Sequence, residues 1–255
     1  KIKGVSKDKF YLDSAILTAS FFIFNAANFF YHFISARKLG PENYAVVASL
    51  FSLIYILSVG SNVIQTSIAK FTSTFYARKD FGKIKFLKNK ALMRLFQYSL
   101  CLFLVYILIS PLVALFLHID LIPVIITGLL LLLILILPVN RGVMQGMQKF
   151  KRLGANLIFE GLTKLILVII LLSLGFSING AIGAVILGVA AAFFISFERM
   201  NVKEKRMDTK EIYKYSYPVL LAMMSITTMY SLDVILVKHL LSSTEAGLYS
   251  AISLL

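Results

Sequence analysis

Apolar runs of 20 or more residues recur along this chain between short clusters of charge. A soluble helix keeps polar residues on every turn of its outer face, so runs of this length fit only segments surrounded by hydrocarbon. The composition agrees: 59% of the 255 residues are hydrophobic and 15% charged, and the mean hydropathy is +0.85, where soluble domains hold roughly 45–50% apolar residues. The chain reads as an integral membrane protein. Ten-residue alternating segments of the barrel type are absent, and a backbone in lipid must satisfy its own hydrogen bonds, so the fold class is all-α, a polytopic helix bundle.

The runs place spans at about 12–35, 44–70, 94–117, 121–146, 153–175, 178–197 and 213–238, with an eighth beginning near 244. No short apolar stretch ends in a small-residue cleavage signature, so the first span is expected to serve as the targeting signal. Of the 26 lysines and arginines, 22 fall in residues 1–11, 70–94, 141–152 and 198–214. The alternate connections are nearly bare, holding Arg37, Lys38 and Lys238. That asymmetry predicts a multi-pass protein of the cytoplasmic membrane with its N-terminus in the cytoplasm. It also explains the +14 net charge without nucleic acid, which would need the basic residues on one folded face.

Polar residues at helical spacing inside a span mark a face that meets water, a ligand or another polar helix. Thr18, Asn25, Asn28 and His32 share a face of the first span, and Ser58, Asn62 and Gln65 form a line in the second, ending at Lys70. In the fifth, Asn156, Glu160, Thr163 and Lys164 lie together. The seventh carries Ser225, Thr228 and Ser231, with Asp233 on an adjacent face. A charge near a helix centre costs roughly 2.5–3.5 kcal/mol. Glu160 and Lys164, one turn apart, therefore either neutralise each other as an i, i+4 pair or face a polar cavity. Counted from Arg152, they lie roughly 12 and 18 Å along the axis. Asp233 is a candidate for proton or cation coupling if buried.

Pro138 removes an interior hydrogen bond from the fourth span and predicts a kink there. Cys101 has no partner and reads as a packed, inert thiol. Catalysis finds no support: no nucleophile elbow, phosphate loop or metal-ligand cluster appears, and His32, His118 and His239 lie on separate loops or span ends. No cofactor is expected.

Residues 39–53, LGPENYAVVASLFSL, echo 241–255, LSSTEAGLYSAISLL, at an offset of 202. Each joins an outward-running span to the next through a short turn. Six spans then separate the starts of two parallel halves. The expected organisation is a six-helix lobe over 1–197, a cytoplasmic linker over 198–212, and the first one to two helices of a second lobe over 213–255. Because Leu255 falls inside an apolar run, the expectation is a truncated second lobe belonging to something longer.

Three stretches, ARKLGPENYAVVASL, RGVMQGMQKFKRLGANLIFEGLTKLIL and SLDVILVKHLLSSTEAGLYS, resemble the polysaccharide or oligosaccharide flippases of the multidrug/oligosaccharidyl-lipid/polysaccharide exporter superfamily. The resemblance implies two six-helix lobes around a central cavity that opens alternately to each side. It implies a lipid-linked glycan as cargo, carried on a polyprenyl pyrophosphate for polysaccharide biosynthesis and export, with proton or sodium coupling. By position, Arg141, Gln145 and Gln148 match the family's motif at the end of span four, Glu160 and Lys164 the polar face that follows, and Asp233 an acidic position of span seven. SSTEAG departs from the LGPE-type turn. The substrate residues expected are Lys164, Glu160, Arg141, Asn25, Asn28, Asn62, Gln65 and Lys70, with Asp233 and Glu160 for ion coupling. A cation-coupled exporter of drugs or other small molecules with the same architecture is the alternative. Cavity charge discriminates the two: positive suits an anionic head group, acidic a cationic drug.

Overall fold

The computed structural model describes residues 7–252, apart from the side chains of residues 7–10, 213 and 230. The sequence folds into nine helices over that range: α1 (Lys7–Leu57), α2 (Gly60–Ala77), α3 (Phe81–Leu117), α4 (Leu121–Ile134), α5 (Leu137–Gly146), α6 (Phe150–Ser173), α7 (Ser177–Ser196), α8 (Lys210–Leu240) and α9 (Ser243–Ile252). Six helical segments are long and apolar enough to cross a membrane, and no strand occurs among the described residues. Large apolar side chains such as Phe22, Leu108, Leu112 and Phe194 are exposed, as a surface bathed in lipid requires. Cys101 belongs to that surface; it is exposed, not packed as its sequence context suggested.

The α1 segment is two limbs. Gly40 adopts φ 74° and ψ 169°, a conformation open to glycine alone at ordinary cost, and Pro41 follows it. The chain doubles back there: the Tyr44 hydroxyl meets His32 Nδ1 at 3.2 Å, and the Tyr31 and Phe51 rings lie 6.3 Å apart. At the corresponding turn near 241 a different device is used. Ser242 and Glu245 form a capping box, with the Glu245 N–H donating to Ser242 Oγ at 3.3 Å and the Ser242 N–H to Glu245 Oε2 at 3.1 Å. The two turns touch, because Thr244 Oγ1 donates to Glu42 at 3.1 Å. A Cβ on Gly247 would collide with the Pro41 carbonyl.

Two crossings are broken helices. The second, expected as one span over 44–70, is interrupted at Ser58 and Val59, between α1 and α2, where Ser58 Oγ bonds back to the Tyr55 carbonyl at 3.3 Å. Such local bonding competes with the helical ladder. The fourth breaks between α4 and α5 at Leu135 and Ile136, just before Pro138. That proline has no N–H to give the Ile134 carbonyl, and the Ser61 hydroxyl of α2 donates to that carbonyl at 2.8 Å instead. The largest apolar core lies among both limbs of α1 and helices α3, α4, α6 and α7.

The basic segments are mostly helical extensions, with only residues 78–80 between α2 and α3. Beyond α7, residues 197–209 run without helix along the extension of α3. Lys88 donates to the Glu198 carbonyl at 2.7 Å, Lys85 to the Val202 carbonyl at 3.0 Å, and the Lys205 N–H to the Gly82 carbonyl at 3.1 Å. Glu198 also pairs with Lys149 and Arg152.

If Ser61 replaces the bond that Pro138 forfeits, the two substitutions are coupled. Ser61→Ala is expected to lower unfolding stability by about 1 kcal/mol in the native background and by little when Pro138→Ala is also present, measured by detergent-induced unfolding of all four variants.

Candidate functional site

A cavity of about 520 Å³ opens among α1, α2, α4, α5, α6 and α7. It gathers Asn25 and Asn28 from the first limb of α1, Asn62 and Gln65 from α2, Arg141 from α5, and Glu160 and Lys164 from α6. Seven of the eight expected substrate residues therefore share one space. Lys70 does not: it is exposed further along α2, toward the basic segments, with its ammonium 3.5 Å from the centre of the Tyr215 ring. Asp233 is also outside that cavity, accepting from the Val234 N–H at 2.7 Å and the Tyr249 hydroxyl at 2.8 Å. Thr18 is exposed outside the cavity lining.

Of the two readings open for Glu160 and Lys164, the i, i+4 pair does not form, and both face the cavity. Glu160 accepts from Arg141, Nη2 to Oε2 at 2.5 Å, and Arg141 Nε donates to Asn156 Oδ1 at 2.8 Å. The amide of Asn156 in turn donates to the Ala192 carbonyl of α7 at 2.8 Å. All three side chains are buried. The reach across 19 residues arises because α5 ends at Gly146 and the chain turns into α6, so the two helices run side by side with their polar faces opposed. Lys164 makes no ion pair among the described residues. It donates to Asn28 Oδ1, and its ammonium lies 5.3 Å from the Phe24 ring centroid and 5.8 Å from that of Tyr31.

Close approach of α7 sets this geometry. Ala184, Gly188 and Ala192 recur every four residues, each buried, the spacing of small residues that lets membrane helices meet closely. A Cβ on Gly188 would stand 2.9 Å from Lys164 Cβ. Any larger residue would push Lys164 away from Asn28.

The lining also contains residues that the polar stripes did not mark: Phe24, Tyr31, Phe51 and Tyr55, together with Ser61. Aromatic residues on a lipid face and on a cavity face look alike in a sequence, and no periodicity separated them. A neighbouring cavity of about 560 Å³ shares Phe24, Tyr55, Ser61 and Asn62 with the first. It reaches α8 at Thr227 and Ser231 and is rich in hydroxyls, including Ser52 and Ser58. At the end of the bundle away from the basic segments, His118 and His239, distant in sequence, stack with ring centroids 5.6 Å apart. Among the described residues, no group of three or more His, Cys, Asp or Glu side chains is placed to hold a metal ion.

Buried pairs are costly to halve, because the surviving charge loses its partner in a low-dielectric site. Arg141→Ala and Glu160→Ala are each expected to cost roughly 3–5 kcal/mol, and the double variant much less than the sum, as read from melting of the four purified proteins.

No family model matches the sequence, and no curated protein matches it. Solved structures do match. An inward-facing multidrug resistance transporter of the MATE family in the MOP superfamily superposes with a TM-score of 0.70 at 15% identity, covering 90% of this chain and 56% of that one. A MATE transporter in complex with Br-NRF gives 0.66 at 20% identity over 86% of this chain and 55% of that one. A MOP superfamily transporter from Pyrococcus furiosus gives 0.64 at 17% identity over 95% and 61%. The chain has the fold of these transporters and spans a little over half of their length.

Proposed function

We propose that this chain, a multi-pass membrane protein with the MATE transporter fold, forms the cavity-bearing part of an alternating-access flippase for polyprenyl-pyrophosphate-linked oligosaccharide. The observation that carries the reading is the cavity's charge balance. Arg141 and Lys164 stand against the single carboxylate of Glu160, and Glu160 is already neutralised by Arg141. Lys164 is thus an excess cation among neutral amides and rings, the environment in which a pyrophosphate anion gains most from a point charge. The amides of Asn25, Asn28, Asn62 and Gln65 offer paired donors and acceptors suited to sugar hydroxyls, and the hydroxyl-rich neighbouring cavity extends that surface toward α8.

Arg141 takes a different part from the one its position suggested. Its guanidinium orients Glu160 and Asn156, so it acts on the substrate through the field it leaves in the cavity. Coupling rests on Glu160. A proton or sodium ion at its carboxylate competes with Arg141, frees positive charge into the cavity and strengthens the hold on an anion. Asp233, tied to Tyr249, is only part-buried and lies away from the cavity, so the burial that its coupling role required is not met.

The alternative, export of drugs or other small molecules, is favoured by the multidrug transporter among the structures of the same fold. In the Pyrococcus furiosus transporter, reverse polarity of the binding pocket suggests a different function, which makes cavity polarity the property to test. Glycan export should fall at least about tenfold in Lys164→Ala, the loss of one charge-assisted contact of about 1.5–3 kcal/mol, and be largely kept in Lys164→Arg. Undiminished export by the alanine variant at equal protein level rejects the reading. Ethidium export by the native protein, with no dependence on Lys164, supports the multidrug alternative.

A further inference from the structure

A further cavity, of about 330 Å³, lies apart from the central one and shares no residue with it. Its walls are three stripes. Gly60, Ile64 and Ile68 come from α2, Leu87, Ala91 and Leu95 from α3, and Ile212, Ser216 and Leu220 from the start of α8, with Thr209 just before it. Residues spaced by three and four line up along one helix face, so the stripes bound an elongated groove. The α3 wall from Leu87 to Tyr98 runs about 16 Å, close to the half-thickness of a roughly 30 Å hydrocarbon core.

The interior of the groove is apolar, and its internal hydroxyls satisfy each other. Ser67 and Ser216 meet at 2.8 Å across it, and Ser216 also donates to the Ile212 carbonyl, so no unpaired hydroxyl of theirs calls for a polar occupant. Charge is confined to one side, where Lys90 and Arg94 stand on α3. Lys90 donates to the Thr209 hydroxyl at 3.1 Å and lies 5.2 Å from the Phe86 ring centroid, both neutral partners. Tyr98 and Tyr217 are exposed at the rim.

Direction decides the occupant. With the basic segments on the cytoplasmic side, as their asymmetry predicts, α3 and α8 run outward and α2 runs inward. Lys90, Thr209 and Ile68 then mark the cytoplasmic end of the groove, while Tyr98, Leu220 and Gly60 mark the deep end. Lys90 at the inner end with Arg94 one turn deeper, and an apolar channel continuing toward the bilayer centre, match the polarity of an inner-leaflet lipid. We infer that this groove is a binding site for an anionic phospholipid of the cytoplasmic leaflet, its phosphate held by Lys90 and Arg94 and one acyl chain lying between α2, α3 and α8. Basic pockets between membrane helices on the cytoplasmic side are suited to anionic head groups. The site is independent of what the central cavity carries. Because it joins α2 and α3 to the helix that follows the linker, a bound lipid fixes where α8 sits against them.

The chain contains no tryptophan, so Tyr98→Trp installs a sole emitter at the rim. The full chain carrying it is reconstituted in phosphatidylcholine vesicles, and brominated phosphatidylglycerol or brominated phosphatidylcholine is titrated in. Phosphatidylglycerol should be preferred by roughly 25-fold, at about fivefold for each cation. The preference should vanish with Lys90→Gln and Arg94→Gln combined, survive Lys90→Arg with Arg94→Lys, and be absent from a control emitter at Leu112→Trp on the outer half of α3. Ala91→Phe, which fills the groove, should weaken quenching of the rim emitter by both lipids. Equal quenching of that emitter by the two lipids overturns the proposal, as does a preference that persists without the cations. Displacement by millimolar glycerol phosphate also overturns it, since that identifies a site for a free anion in place of a lipid.

Discussion

The buried contact between Arg141 and Glu160 is the interaction on which the interior depends. An isolated carboxylate in a membrane bundle would be expelled or protonated, and an isolated guanidinium has no neutral form to retreat to. Held together at 2.5 Å, with Asn156 accepting the second guanidinium hydrogen bond, they allow α5 and α6 to present polar faces to each other. The pair also ties α7 in, through the Asn156 amide and the Ala192 carbonyl. Three helices thereby share one polar seam, and the cavity is the space left on its open side. Lys164, two turns from Asn156 on the same helix face, inherits an environment in which the only nearby acid among the described residues is already occupied.

Much of this was legible in the sequence, for physical reasons. A lipid-exposed run cannot hide polar residues, so those that occur at helical spacing must converge, and Asn25, Asn28, Asn62, Gln65, Glu160 and Lys164 do. Pro138 announced the break in the fourth crossing because a missing N–H leaves a carbonyl that something must satisfy. What could not be read was which groups meet across helices. Spacing along one helix offered Lys164 as the partner of Glu160, while the true partner sits 19 residues upstream on another helix. Lys70 continued a stripe past the point where the helix leaves the cavity, and it found an aromatic ring instead. The break at Ser58 and Val59 gave no warning, since serine and glycine are common in unbroken membrane helices.

Breaks and cavity are connected. Both interrupted crossings, at 58–59 and 135–136, lie beside the central space, and Ser61 and Ile134 line it. Irregular backbone at membrane depth is tolerated only where it is buried or lines a water-filled cavity. The Ser61 hydroxyl on the Ile134 carbonyl shows how the cost is met: one broken helix supplies the donor that the other lacks.

The hydrogen bond between Glu42 and Thr244 joins residues 202 apart, which is the offset of the sequence echo between their two turns. A contact between two positions that correspond in the echo is the kind that a two-fold axis produces. Contacts of that kind are isologous, as in a homodimer, where each surface is its own complement. The junction has nonetheless lost its symmetry at the level of side chains: a glycine–proline corner faces a capping box, and a carboxylate faces a hydroxyl. Two copies of one turn in a true dimer would have set carboxylate against carboxylate at that axis. Here the second turn carries threonine at that place, so the contact is a hydrogen bond.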